Sequence, residues 1–386
     1  MARLNRYDRT VSKFRVVIIG AYGQFGRRIA FALSRDALLD LVLAGRSVDA
    51  ADRLAVEMQQ LGAKARIITS RLDVESSGFS SDLSQLGAHL VIHTAGPFQG
   101  CDYRVAEAAT LSGAHYIDLA DGRDFVAGID KLDSLARERN RWIVSGASSV
   151  PGLSASVIEA FQSRFSQLES VELAISPGNR TPRGLATTRA ILSYVGQSFS
   201  VLIHGRRASV HGWQSLRRIS LTEVGARWFA RCDVPDLAIL PARYPQLQHC
   251  EFRAGLELRR MHFGLWLASW LVRARVIPSL SRWAKPLLRM SEFWLKSGSD
   301  TGVMAIDLGG KGHDGLPLRL RWQIVAKDGS GPQIPATAAV VLARKLARNA
   351  LPGCGARPCL DLFTLKEFMR ELEGFPIQTS EHALPS

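Results

Sequence analysis

The first 150 residues alternate short apolar runs with stretches in which apolar residues recur every three or four positions. Phe25, Ile29 and Leu33 are spaced four apart and share one face of a predicted helix. The apolar runs on either side of such stretches predict strands at 14–20, 41–44, 65–69, 89–93, 115–118 and 141–144. Strands that alternate with helices in this way are typical of a buried parallel sheet, so the N-terminal part is predicted to be α/β.

The pattern loosens after residue 150. Residues 171–175, 305–308 and 318–324 resemble strands, and a helical stretch at about 258–296 lies between the first of these strands and the other two. A helix at about 335–348 resumes a regular apolar pattern, and the tail after 374 is expected to be loose. These patterns predict four parts: an N-terminal domain (1–150), an α+β second domain for substrate binding or oligomerisation (151–330), a helix returning to the first domain (331–352) and a C-terminal extension (353–386).

Composition places the chain among globular proteins. Of its 386 residues, 46% are hydrophobic and 22% are charged, as in ordinary folded domains. No apolar run reaches the roughly 18 residues of a spanning helix, and the N-terminus lacks the apolar stretch of a secretion signal. The five cysteines are scattered without zinc-ligand spacing. We therefore expect a cytoplasmic protein with reduced thiols and no metal site.

The net charge of +14 is unevenly distributed. Residues 1–150 hold 19 Lys and Arg against 17 Asp and Glu, whereas residues 203–296 hold 16 against 6. A local basic surface attracts anions or an anionic membrane. Because 40 of the 49 basic residues are Arg, a compositional bias with solvated side chains is the alternative explanation. No nucleic-acid-binding motif accompanies the charge, so no nucleic-acid partner is expected.

A glycine-rich loop joins the first predicted strand to the first predicted helix. Its residues are Gly20, Ala21, Tyr22, Gly23, Gln24, Phe25 and Gly26. A phosphate needs backbone N–H groups directed at it and no side chain in the way, and a helix N-terminus adds positive potential. Because the loop follows a strand and opens a helix in a βαβ series, it predicts a dinucleotide site in a Rossmann-type domain.

The ends of the next strands suggest which dinucleotide binds. NAD sites usually carry an acidic residue after the second strand, but here Arg46 and Ser47 stand there, and both can contact a 2′-phosphate. NADP is therefore preferred over NAD. Further cofactor contacts are expected just beyond strands three and four. These residues are Asp73, Thr94, Ala95, Gly96 and Pro97.

Together these motifs resemble the saccharopine dehydrogenase-like NADP-binding oxidoreductases. The resemblance rests on segments 20–26, 44–47, 94–98, 115–119 and 149–152, with thinner support from 233–237 and 331–335. It implies a Rossmann domain followed by an α/β second domain, with the cofactor between them. The chain departs from the pattern at Ala120-Asp121-Gly122, and the segment typical of saccharopine-forming enzymes is not recognisable. The resemblance therefore does not extend to that substrate.

The expected function is hydride transfer between NADP and an unidentified small molecule. Asp118, at the end of strand five, is the candidate catalytic residue because strand-end carboxylates point into the crevice. Helix capping through backbone N–H groups is the alternative role for this carboxylate. A dinucleotide-binding sensor or scaffold without turnover is the alternative function.

A tryptophan-rich basic stretch at 259–296 suggests a further partner. Trp266, Trp270, Trp283 and Trp294 lie there beside several Arg and Lys residues. Such a helix can lie in a membrane interface, with its rings at the headgroups and its basic groups on anionic lipid. A membrane-surface reductase acting on a lipid-like substrate is thus a third hypothesis. Coverage of the second domain, or a contact between two copies of the chain, is the alternative use of the stretch.

Overall fold

The computed structural model describes residues 13–385, which form two β-sheets with surrounding helices. The strands, in chain order, are β1 Phe14–Ile19, β2 Leu39–Gly45, β3 Arg66–Arg71, β4 Leu90–His93, β5 His115–Asp118, β6 Trp142–Ser145, β7 Phe165–Ser176, β8 Ser198–Ile203, β9 Arg206–His211, β10 Arg217–Leu221, β11 Gly225–Arg231, β12 His249–Ala254, β13 Gly302–Gly312, β14 Pro317–Ala326, β15 Gly355–Pro358 and β16 Ile377–Ala383.

Thirteen α-helices connect and cover these strands in the described part of the chain. They are α1 Gly26–Ser34, α2 Val48–Gln60, α3 Phe79–Gln85, α4 Arg104–Leu111, α5 Arg123–Ala127, α6 Asp133–Glu138, α7 Ser154–Phe161, α8 Leu185–Tyr194, α9 Asp236–Arg243, α10 Arg259–Arg273, α11 Ala284–Glu292, α12 Gln333–Ala347 and α13 Leu365–Glu371. Among residues 13–385, no helix combines the length and the apolar character needed to cross a membrane.

The first sheet is parallel, with the strand order β3-β2-β1-β4-β5-β6-β15. Both faces are covered, and β1 and β2 are almost wholly buried, which explains why these strands are continuous apolar runs in the sequence. The strand order reverses between β1 and β4. In this topology a crevice forms beyond the carboxyl ends of those two strands. The predicted α/β class with an N-terminal Rossmann-type sheet is confirmed.

The second sheet is mixed, with the main order β10-β11-β12-β7-β13-β14-β16 and with β8 and β9 attached beside β12. β12 runs parallel to β7, whereas β13 and β14 pair antiparallel with their neighbours. The alternation seen in the sequence lies in β14, where Leu320, Trp322 and Ile324 are buried. The α+β second domain is thus confirmed as a fold.

The last third of the chain contributes to both sheets. Helix α12 packs against α1, and Arg344 donates to the carbonyl of Ala32 at 3.0 Å. After α12, β15 extends the first sheet beside β6, and β16 extends the second sheet beside β14. The expectation of a loose tail after residue 374 was wrong. Because β16 is a polar edge strand held by backbone pairing, it carries little hydrophobic signal.

The long helical stretch expected at 258–296 is two helices, α10 and α11. Arg275 adopts a positive φ of 59° directly after α10, and Pro278 follows. A left-handed residue ends a helix, and a proline cannot continue it. The apolar spacing in the sequence therefore continues across a turn that separates two helices.

Candidate cofactor site

A cavity of about 850 Å³ lies beyond the carboxyl ends of β1, β2 and β4. The first sheet and its loops form one wall, and residues 184–190 at the start of α8 form part of the other. Gln24 links the two walls, because its Nε2 donates to the carbonyl of Pro182 at 2.7 Å. The cavity thus lies between the two domains, at the position where the strand order reverses.

The glycines of the loop allow backbone segments to pack closely. Gly20 has φ +80°, and a Cβ added there would lie 2.8 Å from Oγ1 of Thr94. A Cβ on Gly26 would collide with the carbonyl oxygen of Gly20. Thr94 in turn donates to the carbonyl of Ile19 at 2.8 Å. Glycine is therefore required at both ends of the loop by packing, as in a dinucleotide-binding turn.

Backbone donors at the start of α1 remain available to a ligand. The N–H of Gly23 donates to Gly20 at 2.9 Å, but the N–H groups of Gln24 and Phe25, two residues that line the cavity, have no acceptor within residues 13–385. The first turn of α1 also carries no acidic side chain. Unpaired N–H groups and the helix dipole together favour an anion at this point. The glycine loop at residues 20–26 and the start of α1, called the cradle below, fit the pyrophosphate of a dinucleotide.

The end of β2 provides a second anion-binding group. Arg46 is exposed at the cavity and forms no ion pair among the described residues. The Tyr22 ring lies over Gly45, where a Cβ would come within 2.6 Å of the phenol oxygen. That phenol oxygen accepts from the N–H of Ser47 at 3.0 Å. The loop and the β2 end are thereby held together, with the Arg46 guanidinium beside them.

The structure brings most of the predicted cofactor residues into one cavity. Those that line it are Gly20, Tyr22, Gly23, Gln24, Phe25, Arg46, Asp73, Thr94, Ala95, Gly96 and Pro97. Ala21 and Gly26 are buried behind the loop. Ser47 does not line the cavity; its Oγ caps α2 by accepting from Ala50 at 3.3 Å. Asp73 makes a local turn, with its Oδ1 accepting from Glu75 at 3.2 Å.

Asp118 lies outside the cavity, in contrast to its expected orientation toward the crevice. Its Oδ1 accepts from the N–H of Ala120 at 2.9 Å, from Oγ of Ser145 at 2.9 Å and from the N–H of Gly146 at 2.8 Å. Burial raises the pKa of Asp118 to about 6, and these hydrogen bonds act in the opposite direction. The carboxylate joins the ends of β5 and β6, and it does not cap the following helix either.

Asp121, three residues further, lines the cavity instead. Gln99 donates from Nε2 to Oδ1 of Asp121 at 2.9 Å and also lies 2.9 Å from the phenol oxygen of Tyr194. Burial raises the pKa of the Asp121 carboxyl. Tyr194 ends α8 in the second domain, so sequence spacing could not have paired it with Asp121. The departure from the family pattern at 120–122 was the one signal that singled out this position.

A buried histidine and tyrosine also reach the cavity. Nδ1 of His93 lies 3.1 Å from the phenol oxygen of Tyr116, and His93 Nε2 has no partner among the described residues. Burial lowers the pKa of His93 to about 4, so the imidazole is neutral near pH 7. Nothing in the sequence pattern singles out His93, because it is the last residue of an apolar strand.

Glu172, His249 and Glu251 also lie close together, with potential ligand atoms within 4.8 Å of one another. Their carboxylates are already paired with arginines. Glu251 contacts Arg231 and Arg253, each at 2.6 Å, and Glu172 contacts Arg217. Because the guanidinium groups supply the compensating charge, this cluster is an ion-pair network on the second sheet.

Residues 16–148 match the family model of the saccharopine dehydrogenase NADP binding domain. No curated protein sequence is significantly similar to the chain. Among solved structures, apo saccharopine dehydrogenase (L-Glu forming) from Saccharomyces cerevisiae is similar over 96% of this chain and 100% of its own, with a TM-score of 0.67 and 13% identity. At this identity the likeness concerns the fold. A hydroxysteroid dehydrogenase from Escherichia coli covers 34% of this chain and 73% of its own, at 17% identity and a TM-score of 0.26.

Proposed function

We propose, from the match of residues 16–148 to the family model of the saccharopine dehydrogenase NADP binding domain, that the protein is an NADP-dependent oxidoreductase. The observation that carries the proposal is the cradle at the start of α1. Two consecutive backbone N–H groups, of Gln24 and Phe25, lack acceptors among the described residues beside a cavity large enough for a dinucleotide.

The preference for NADP rests on Arg46. Its guanidinium is exposed at the cavity without an acidic partner in residues 13–385, so it can bind a phosphate through charge-assisted hydrogen bonds. Arg46 and Ser47, not an acidic residue, directly follow β2, where an NAD site usually has a carboxylate to accept from the ribose. A 2′-phosphate would pair with the Arg46 guanidinium, whereas an uncharged 2′-hydroxyl would leave the guanidinium without an ionic partner.

A bound NADP supplies the hydride chemistry, and the chain supplies orientation and a proton. We infer that Asp121 is the proton-transfer group for a small-molecule substrate. It faces the cavity, its raised pKa keeps the carboxyl protonated to higher pH than usual, and Gln99 holds one of its oxygens. Leu185 and Arg189 of α8 lie on the opposite wall and are candidates for contacts with the substrate.

The test is a fluorescence titration of the full chain with NADPH and with NADH. We expect the wild type to bind NADPH more tightly. Arg46→Ala should weaken NADPH binding about 10- to 100-fold, corresponding to the loss of charge-assisted hydrogen bonds, and should leave NADH binding nearly unchanged. Arg53→Ala is the matched control, because Arg53 is exposed on α2 outside the cavity.

Turnover is then measured with NADPH over a panel of carbonyl, imine and enoyl compounds. NADPH oxidation that depends on one of these compounds supports the oxidoreductase. Tight binding without oxidation of NADPH by any of them would instead favour a dinucleotide sensor or scaffold. Equal affinity for NADH and NADPH in both the wild type and Arg46→Ala would overturn the choice of NADP.

A further inference from the structure

The segment 259–296, which contains α10 and α11, exposes an unusual amount of apolar surface. Seven of the twelve large hydrophobic residues that are exposed in the described structure belong to it. They are Leu267, Trp270, Leu271, Val276, Trp283, Met290 and Phe293. Single exposed hydrophobic residues are normal, but such a concentration in about a tenth of the chain marks an interaction surface.

Helix α10 buries two of its polar side chains, whereas several of its large apolar side chains are exposed. His262 and Ser269 are fully buried, whereas Leu267 is 61% exposed and Trp270 and Leu271 are each 45% exposed. The buried polar groups anchor the helix to its domain. His262 Nδ1 accepts from Leu256 at 3.3 Å, and Gln214 donates to Ser269 at 3.3 Å. Because these contacts determine which side faces the domain, the outer apolar face has no partner within residues 13–385.

The same segment is strongly basic. Residues 259–296 hold eight Lys and Arg residues against one acidic residue, Glu292. Arg275, Arg282, Lys285 and Arg289 are exposed and form no ion pair among the described residues. Cationic groups also lie over two indole rings, with Arg273 5.0 Å from the Trp270 ring and Arg260 4.9 Å from the Trp294 ring. Exposed apolar side chains and cations without an acidic partner therefore occur together in the segment 259–296.

We propose that this surface docks on an anionic lipid bilayer. Indole and leucine side chains enter the boundary between headgroups and acyl chains, and flanking Arg and Lys residues attract anionic headgroups. Charge argues against a second copy of the chain as the occupant. A two-fold contact through this surface would place two segments with a net charge of +7 each against one another, and like charges destabilise such an interface.

The docking surface is connected to the cofactor cavity by one helix. Leu192 of α8 belongs to the same buried cluster as Val272 of α10 and Ala284 of α11. At the other end of α8, the residues that line the cavity are Leu185, Ala186, Thr187, Arg189 and Ala190. A bilayer bound at 259–296 thus lies one helix away from the cavity wall. The docking proposal itself does not depend on the bound cofactor or on turnover.

The experiment is sedimentation of the full chain with two kinds of vesicle, phosphatidylcholine alone and phosphatidylcholine mixed with phosphatidylserine. We expect binding to the anionic vesicles that weakens as salt is raised. Leu267→Ser with Trp270→Ser should reduce partition at least about tenfold through loss of apolar burial. Arg275→Glu with Arg282→Glu should also reduce partition at least about tenfold, because the variant loses its attraction to anionic headgroups.

The control variants carry the same changes on exposed positions of the first domain. Leu38→Ser with Leu61→Ser matches the apolar pair, and Arg53→Glu with Arg66→Glu matches the charge pair. These variants should bind vesicles like the wild type. Absence of wild-type binding to anionic vesicles, or an equal loss in the controls, would overturn the proposal. So would a wild-type dimer, seen by light scattering, that Leu267→Ser with Trp270→Ser converts to monomer.

Discussion

Asp236 and Ser154 form a hydrogen bond in a fully buried position, where the first residue of α9 meets the first residue of α7. Ser154 Oγ also lies 3.0 Å from the carbonyl of Pro151. A protonated Asp236 completes a chain in which the carboxyl donates to Ser154 and Ser154 donates to Pro151. An ionised Asp236 competes with Pro151 for the single hydroxyl proton.

This arrangement predicts that stability falls with rising pH near neutrality. Burial raises the pKa of Asp236 to about 7, above its value in the unfolded chain. The folded state therefore binds the proton more tightly, and its stability decreases between about pH 4 and pH 7, by about 4 kcal/mol at most. Asp236→Asn mimics the protonated form, so its Tm should change less than that of the wild type over this window.

The measurement is a set of thermal melts of both proteins from pH 5 to pH 8. Asp124→Asn, an exposed carboxyl in α5, serves as the control and should keep the wild-type pH dependence. An Asp236→Asn variant that loses stability at pH 8 would show that the ionised carboxylate is the favoured form.

Asp118 is expected to be structural. Replacement by Ala leaves the buried N–H groups of Ala120 and Gly146 without an acceptor and should cost about 3 kcal/mol of unfolding free energy. Asp118→Asn keeps an acceptor oxygen and should be much milder. Urea unfolding checks both. If Asp118→Asn were as stable as the wild type yet lost turnover, the carboxyl would have a chemical role after all.

Asp121→Asn should lower kcat by about 10²- to 10⁴-fold, the usual effect of losing a proton-transfer group. NADPH affinity should be unchanged, because Gln99 and the glycine loop stay in place. In the wild type, turnover should decline as pH rises through the raised pKa of Asp121, since the protonated form is lost. Steady-state kinetics across pH test this, with Asp124→Asn as the matched carboxyl variant. A full wild-type rate in Asp121→Asn would refute the assignment.

Gly26→Ala should destabilise the protein and weaken NADPH binding together. The new Cβ would collide with the Gly20 carbonyl, so the loop must shift by moving backbone, at a cost of about 2 kcal/mol or more. Gly264→Ala is the control, because a Cβ there has no neighbour within 4 Å and lies in a helix. It should leave binding intact and raise stability by up to about 1 kcal/mol. Unchanged NADPH affinity in Gly26→Ala would argue against a tight cradle at residues 20–26.

The sequence predicts β1 to β6 because parallel strands covered on both faces appear as short apolar runs. It predicts the glycine loop because the glycine spacing lies between a strand and a helix. It does not predict β15, whose residues, Gly355–Pro358, contain no such run and join β6 through backbone pairing. The sequence also does not predict how the side chains are arranged at the cavity. Whether Asp118 or Asp121 faces the cavity depends on local turns after β5. The proximity of Tyr194 to Asp121 depends on how the two domains pack against each other.

The C-terminal segment that supplies β15 and β16 has a consequence for how the protein is made. Gly355 pairs with Trp142, and Ala383 pairs with Leu320, so the first sheet lacks a strand until residue 358 has been synthesised, and the second sheet lacks one until residue 383 has been synthesised. On the ribosome, the N-terminal domain emerges early with the edge of β6 uncovered. The strands that cover β6 and β14 therefore join the sheets only after most of both domains has been synthesised, and a chain interrupted before residue 355 leaves the edges of β6 and β14 uncovered.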